Sequence, residues 1–155
     1  MNEEKLMELW GKVGFIVNLS QMVEYNIANI LAFDEILKPF ENNSIVDMDI
    51  YNKFARKADE LYKKLSRKTL GYGINKMFEK GIFLNDSEEY LKKVCDERNY
   101  VVHSLFKEDL HLKKLEGDTT FYFERLEWLI ENMKKINDVL CNYLNEQKKY
   151  YKLIF

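Results

Sequence analysis

Apolar side chains recur at alternating three- and four-residue steps through most of this chain, the period of helices that each bury a stripe. The first such stretch runs from about Glu3 to Leu37. Trp10, Val13, Val17, Ile27 and Leu31 fall on one seam, and Pro39 is expected to end the helix because it lacks an N–H and crowds the preceding turn. Phe15, Ile16, Leu19, Met22, Val23 and Ile30 form a second apolar surface. That is more than one face of a bundle helix has to bury, so the pattern predicts a subunit interface.

A second helix is expected to start near Asp47 or Asp49 and to carry Tyr51, Phe54, Ala55, Ala58, Leu61, Tyr62 and Leu65 inward. Thr69 can open a short helix, TLGYGINKMFEK, in which Gly71 and Gly73 predict a kink or break before Gly81 ends it. The third long helix begins after Asp86, whose carboxylate can cap the free amides while Glu89 reaches back, and runs to about Phe106. KEDLHLKKLEGD then reads as a loop, with Asp118 as the cap of a last helix. There Tyr122, Leu126, Leu129, Met133, Ile136, Leu140 and Tyr143 repeat in heptad fashion. The simplest packing is an all-α, up-and-down four-helix bundle with a short extra helix, a single domain over residues 1–155.

Composition narrows the class. With 46% hydrophobic and 32% charged residues, a disordered chain, a collagen and a disulfide miniprotein are excluded. Cys95 and Cys141 are the only cysteines, lack CxxC spacing, and are expected to be reduced core thiols. No uncharged apolar run approaches the roughly 18 residues that cross a bilayer, and MNEEKLMELW lacks a basic start, so no membrane association and a cytoplasmic location are expected. The formal net charge is −2, but it is unevenly spread. Residues 1–52 hold three basic and nine acidic side chains, whereas residues 53–80 hold nine basic and three acidic ones. Lys53, Arg56, Lys57, Lys63, Lys64, Arg67 and Lys68 therefore make either a solvated helix face or a surface for nucleic acid or an acidic partner.

One residue breaks the pattern of its own helix. At about 100° per residue, Leu91, Val102 and Cys95 lie within roughly 60° of Arg98 on one side, and Val94, Val101 and Leu105 within roughly 60° on the other. A guanidinium at the centre of an apolar stripe must meet an acid, reach water at a cleft, or hold an anion. Asn99 and His103 project together at the edge of that stripe, one turn apart. A structural ion pair is one explanation, because Glu24, like Ser20, occupies the inward seam of the first helix and can neutralise Arg98.

The segment Arg98-Asn99-Tyr100-Val101-Val102-His103 resembles the RX4-6H motif of HEPN domains, in which a polar residue often follows the arginine. TLGYGINKM likewise resembles the segment that precedes the motif helix in several branches of that family, and the resemblance loosely covers most of residues 1–145. It implies a metal-independent endoribonuclease acting as a homodimer, either a toxin held by a cognate antitoxin or an effector of antiphage defence. RNA supplies its own nucleophile, the 2′-hydroxyl, so no cofactor is needed. His103 would move that proton, since histidine titrates near neutral pH. Arg98 would hold the nonbridging oxygens in a bidentate fork, Asn99 would orient His103 or the phosphate, and Lys63, Lys64, Arg67 and Lys68 would bind the RNA backbone. Branches controlled by nucleotidylation carry a tyrosine two residues after the histidine; Leu105 stands there, so that control is not expected.

The alternative is a noncatalytic helical module that binds a protein or nucleotide, with Arg98 tied to Glu24. His111 lies in the polar loop and is expected to be exposed. No histidine pair has metal-ligand spacing with carboxylates, and LGYG forms neither a Walker loop nor a dinucleotide fingerprint, so neither a metal nor a nucleotide pocket is expected from them. The tail KKYYKLIF either packs as a helix end on its own bundle or meets a partner.

Overall fold

A computed structural model describes residues 3–42, 46–110 and 119–154, and every regular element among them is helical. In order these are α1 (Glu3–Asn42), α2 (Met48–Leu65), α3 (Leu70–Glu79), α4 (Glu88–His103), a π-helical segment (Leu105–Leu110) and α5 (Thr120–Ile154). No described helix is long and apolar enough to cross a membrane.

Short polar residues set the helix starts, as free amides require. Asp47 accepts from the Ile50 amide at 2.8 Å to open α2, and Thr69 accepts from Tyr72 at 3.2 Å to open α3. At α4 the cap is Ser87, accepting from Tyr90 at 3.1 Å, rather than the expected Asp86. The two neighbours are chemically equivalent caps, and only the one with extended backbone where the helix begins can serve.

Three other expectations are corrected. The chain does not leave the helix at Pro39: α1 continues to Asn42 with Pro39 buried inside its last turn, where packing offsets the missing donor. Gly71 and Gly73 do not break α3, which is uninterrupted from Leu70 to Glu79. Its buried Leu70, Ile74 and Met77 outweigh the glycine cost, and at Gly73 a Cβ would come to 3.1 Å from two Ile27 side-chain carbons, so even a methyl there requires Ile27 to shift by a few tenths of an ångström. Gly81, at φ 76°, does end it: Ile82 N–H reaches the Met77 carbonyl at 3.2 Å in a Schellman closure. Finally, α4 stops at His103 rather than Phe106, and Lys107 to Leu110, expected in a loop, belong to the wider π-helical turn. His111 and Asp118 lie outside the described residues.

Contacts divide the chain into two compact units. The first holds residues 3–22, 85–110 and 119–137. It buries Leu9, Val13, Ile16 and Leu19 of α1, Leu91, Val94, Cys95 and Val101 of α4, and Leu126, Leu129, Met133 and Ile136 of α5. Leu9, not Trp10, begins the buried stripe of α1, and Trp10 is 54% exposed. Of the expected second surface, Ile16, Leu19, Val23 and Ile30 are core, while Phe15 and Met22 are exposed.

The second unit holds residues 23–42, 46–84 and 138–154. Its core includes Ile27 and Ile30 of α1, Ala58 of α2, Ile74 and Met77 of α3, Phe83, and Leu140 and Leu144 of α5. Leu144 takes the inward place expected of Tyr143, which is at the surface. Buried Gln147 donates to the Ile30 carbonyl at 3.0 Å and to Asp34, which also pairs with Lys80. The tail is helical as far as Ile154: the Tyr151 and Tyr51 hydroxyls are 3.1 Å apart, and the Tyr151 ring meets Phe33 edge to face, so it packs on its own unit.

Candidate active site

Arg98, Asn99 and His103 all lie on α4, in the first unit. The helix is regular through the last of them, so Asn99 and His103 stand one turn apart along its exposed edge. Arg98 is half-buried rather than sealed. Its Nε donates to Ser20 Oγ at 3.1 Å, and its Nη1 donates to Asn99 Oδ1 at 3.0 Å. Ser20 is 1% exposed and uses its own proton on the Ile16 carbonyl at 2.9 Å, which leaves its oxygen lone pairs for Arg98. One end of the guanidinium is thus held by a buried hydroxyl and the other by an exposed amide. A flexible cation becomes an oriented one, with Nη1 turned to the edge that carries Asn99.

The surroundings of Arg98 on its own helix are apolar, as the wheel predicts. Burial pushes the Cys95 thiol, one turn back, up to about 11; Asp96 adds to the rise and the Arg98 charge opposes it. Cys95 is therefore an inert core thiol. Cys141 is half-buried in the second unit, with the Asn26 amide 3.3 Å from its sulfur. Among the described residues no group of three or more His, Cys, Asp and Glu side chains is placed to hold a metal.

The other candidate residues lie in the second unit. Lys63, Lys64, Arg67 and Lys68 are all exposed and, with Glu60, line one depression at the end of α2 and the turn after it. They are not four equivalent free cations. Lys63 is bound to Asp59 at 2.8 Å, a contact that raises its pKa, and the Lys68 ammonium lies 5.3 Å from the Tyr72 ring centre. Glu24 is half-buried on the second-unit half of α1, where it lines a small cleft with Lys68, Thr69 and Tyr72.

One cluster was not legible as a site in the sequence. Beyond the α4 edge, Lys93, Glu97, Phe121, Glu124, Arg125 and Trp128 line an open groove of about 540 Å³ in the first unit. Glu97 receives both Arg125 Nε, at 2.5 Å, and Arg125 Nη2, at 2.9 Å. The signal was the spacing Phe121, Arg125, Trp128, which puts all three on one face of α5. Without knowledge of which helix lies opposite, such a face reads as core. No family model matches the chain, nor does any curated protein or solved structure.

Proposed function

We propose that this chain is a metal-independent endoribonuclease of toxin or antiphage-defence type, a HEPN-like domain whose helices form an up-and-down four-helix bundle. The observation that carries this reading is the anchored arginine. Arg98 is bonded to buried Ser20 and to exposed Asn99, on the helix edge where His103 follows one turn later. A merely solvated arginine would not require the buried hydroxyl.

The chemistry follows from these groups. The 2′-oxygen attacks the adjacent phosphorus as His103 accepts the hydroxyl proton, and the bond from phosphorus to the 5′-oxygen breaks as that oxygen takes a proton. The products are a 2′,3′-cyclic phosphate and a free 5′-hydroxyl. Arg98 holds the two nonbridging oxygens while negative charge accumulates on them. Base and acid are both needed, and a homodimer with two copies of His103 in one cleft supplies both.

The exposed face of α1 supports the dimer. Met7, Trp10, Phe15 and Met22 are exposed, and Gly11 and Gly14 have open space where a Cβ would stand. Helical glycines cost stability, and none of the described residues uses the space they leave, whereas a second helix crossing there would. The basic depression of Lys63, Lys64, Arg67 and Lys68 suits RNA phosphates. A cognate antitoxin or defence partner would act by covering either surface.

Purified protein incubated with total RNA in excess chelator is expected to leave fragments ending in cyclic phosphate, and His103→Ala is expected to abolish them. Equal inertness of the two proteins would end this reading in favour of a noncatalytic binding module.

A further inference from the structure

We infer that the groove between α4 and the first turns of α5 is a subsite for an unpaired nucleobase of the RNA, with Phe121 as the stacking surface. The inference rests on the ribonuclease reading and adds a substrate contact to it.

The walls of the groove are flat and alternate between aromatic rings and cations. Phe121 is 63% exposed, with the Tyr122 ring edge to face with it at 5.7 Å between centroids, so much of its surface is open to a stacking partner. The Arg125 guanidinium lies 3.9 Å from the Tyr100 ring centre and 5.9 Å from that of Phe121, and the Lys93 ammonium lies 4.5 Å from the Trp128 ring centre. The two hydrogen bonds that Arg125 donates to the Glu97 carboxylate fix the guanidinium plane, so it forms part of the wall. Single-stranded RNA is bound by such surfaces, with bases stacked on rings or guanidinium planes and phosphates met by neighbouring cations.

Charge separates this occupant from simpler ones. Lys93 and Arg125 balance Glu97 and Glu124, so the groove attracts neither a bare phosphate nor a strongly acidic peptide. A base is neutral and planar, with N–H donors at its edge that the exposed Glu124 carboxylate accepts. The position also suits a substrate. Tyr100, which backs Arg125, precedes His103 by less than one turn of the same helix. At about 100° per residue Tyr100 lies roughly 60° around α4 from His103, so a base in the groove would be reached around the helix surface by the strand whose phosphate meets Arg98 and His103.

The test uses the full chain and short single-stranded 2′-O-methyl oligoribonucleotides, which lack the attacking hydroxyl. They are expected to quench tryptophan fluorescence, with the quench lost in Trp128→Phe. Phe121→Ala, at an exposed position and folding as the parent does, is expected to raise the oligonucleotide Kd and the cleavage KM about tenfold, the scale of one lost base stack, with kcat within about twofold. Phe121→Tyr is expected to restore both. If Phe121→Ala cleaves RNA with unchanged KM and binds the probe unchanged, the subsite is overturned while the ribonuclease reading stands. If the probe binds in a Phe121-dependent manner but RNA is never cut, the subsite stands and the ribonuclease reading falls. Quenching by peptides and by no oligonucleotide overturns the subsite in favour of a peptide groove.

Discussion

Arg98 and His103 are five residues apart on one helix, yet their removal should affect this protein very differently. His103 is exposed, so His103→Ala should leave stability within about 0.5 kcal/mol of the parent in urea unfolding while cleavage disappears. Arg98→Ala removes a charged hydrogen bond to buried Ser20 and is expected to cost about 1–2 kcal/mol, also with loss of cleavage. A loss of about 3–5 kcal/mol instead would mark a stranded buried partner and favour the binding module. Cys95 gives a prediction in pH. Its thiol ionises near 9 in the unfolded chain and near 11 in the fold, so between those values the native state binds more protons than the unfolded one. Stability is then full below pH 9 and falls as pH rises toward 11, by about 2 kcal/mol. Melts of the parent across that range should show the decline, and Cys95→Ala should show it reduced.

At the level of elements, the start of α4 separates two chemically similar caps. Ser87→Ala should cost about 1 kcal/mol, because Ser87 holds the Tyr90 amide, whereas Asp86→Ala should cost less than half of that. Denaturant midpoints of the two variants decide it; a larger effect at Asp86 would shift the helix start by one residue. Two other helices show how local signals lose to packing. Proline and glycine are breakers by intrinsic preference, yet Pro39 lies inside α1 and two glycines lie inside α3. Burial of Pro39 and the approach of Ile27 to Gly73 are nonlocal facts, absent from any window of sequence.

At the scale of the whole molecule, the central prediction concerns association. The exposed stretch of α1 from Met7 to Met22 includes Lys12 as its only charged residue besides Glu8, and Lys12 is engaged with Glu127 at 3.3 Å. A carboxylate placed on that surface should be repelled by an apolar partner copy. Trp10→Glu is therefore expected to convert a dimer to monomers in sedimentation equilibrium, and to abolish cleavage without lowering the melting temperature of the isolated chain by more than a few degrees. A parent protein that sediments as a monomer at all concentrations would remove the composite site.

The periodicity of apolar residues determined by itself that the described chain is helical, roughly where its long helices lie, and that Arg98 interrupts an apolar stripe. These are local properties, set by 3.6 residues per turn and by the cost of burying charge. Which members of the two apolar stripes of α1 are buried, and why Trp10 faces outward and Leu9 inward, was decided only by the elements packed against it, because both stripes satisfy the same period and each supplies core residues, Val13 and Ile27 from one and Ile16, Leu19, Val23 and Ile30 from the other. The tie from Arg98 to Ser20 and the groove holding Phe121 and Arg125 join residues 78 and 28 positions apart in their hydrogen bonds, and no spacing rule reaches that far. Contacts of that kind exist only once the helices have met.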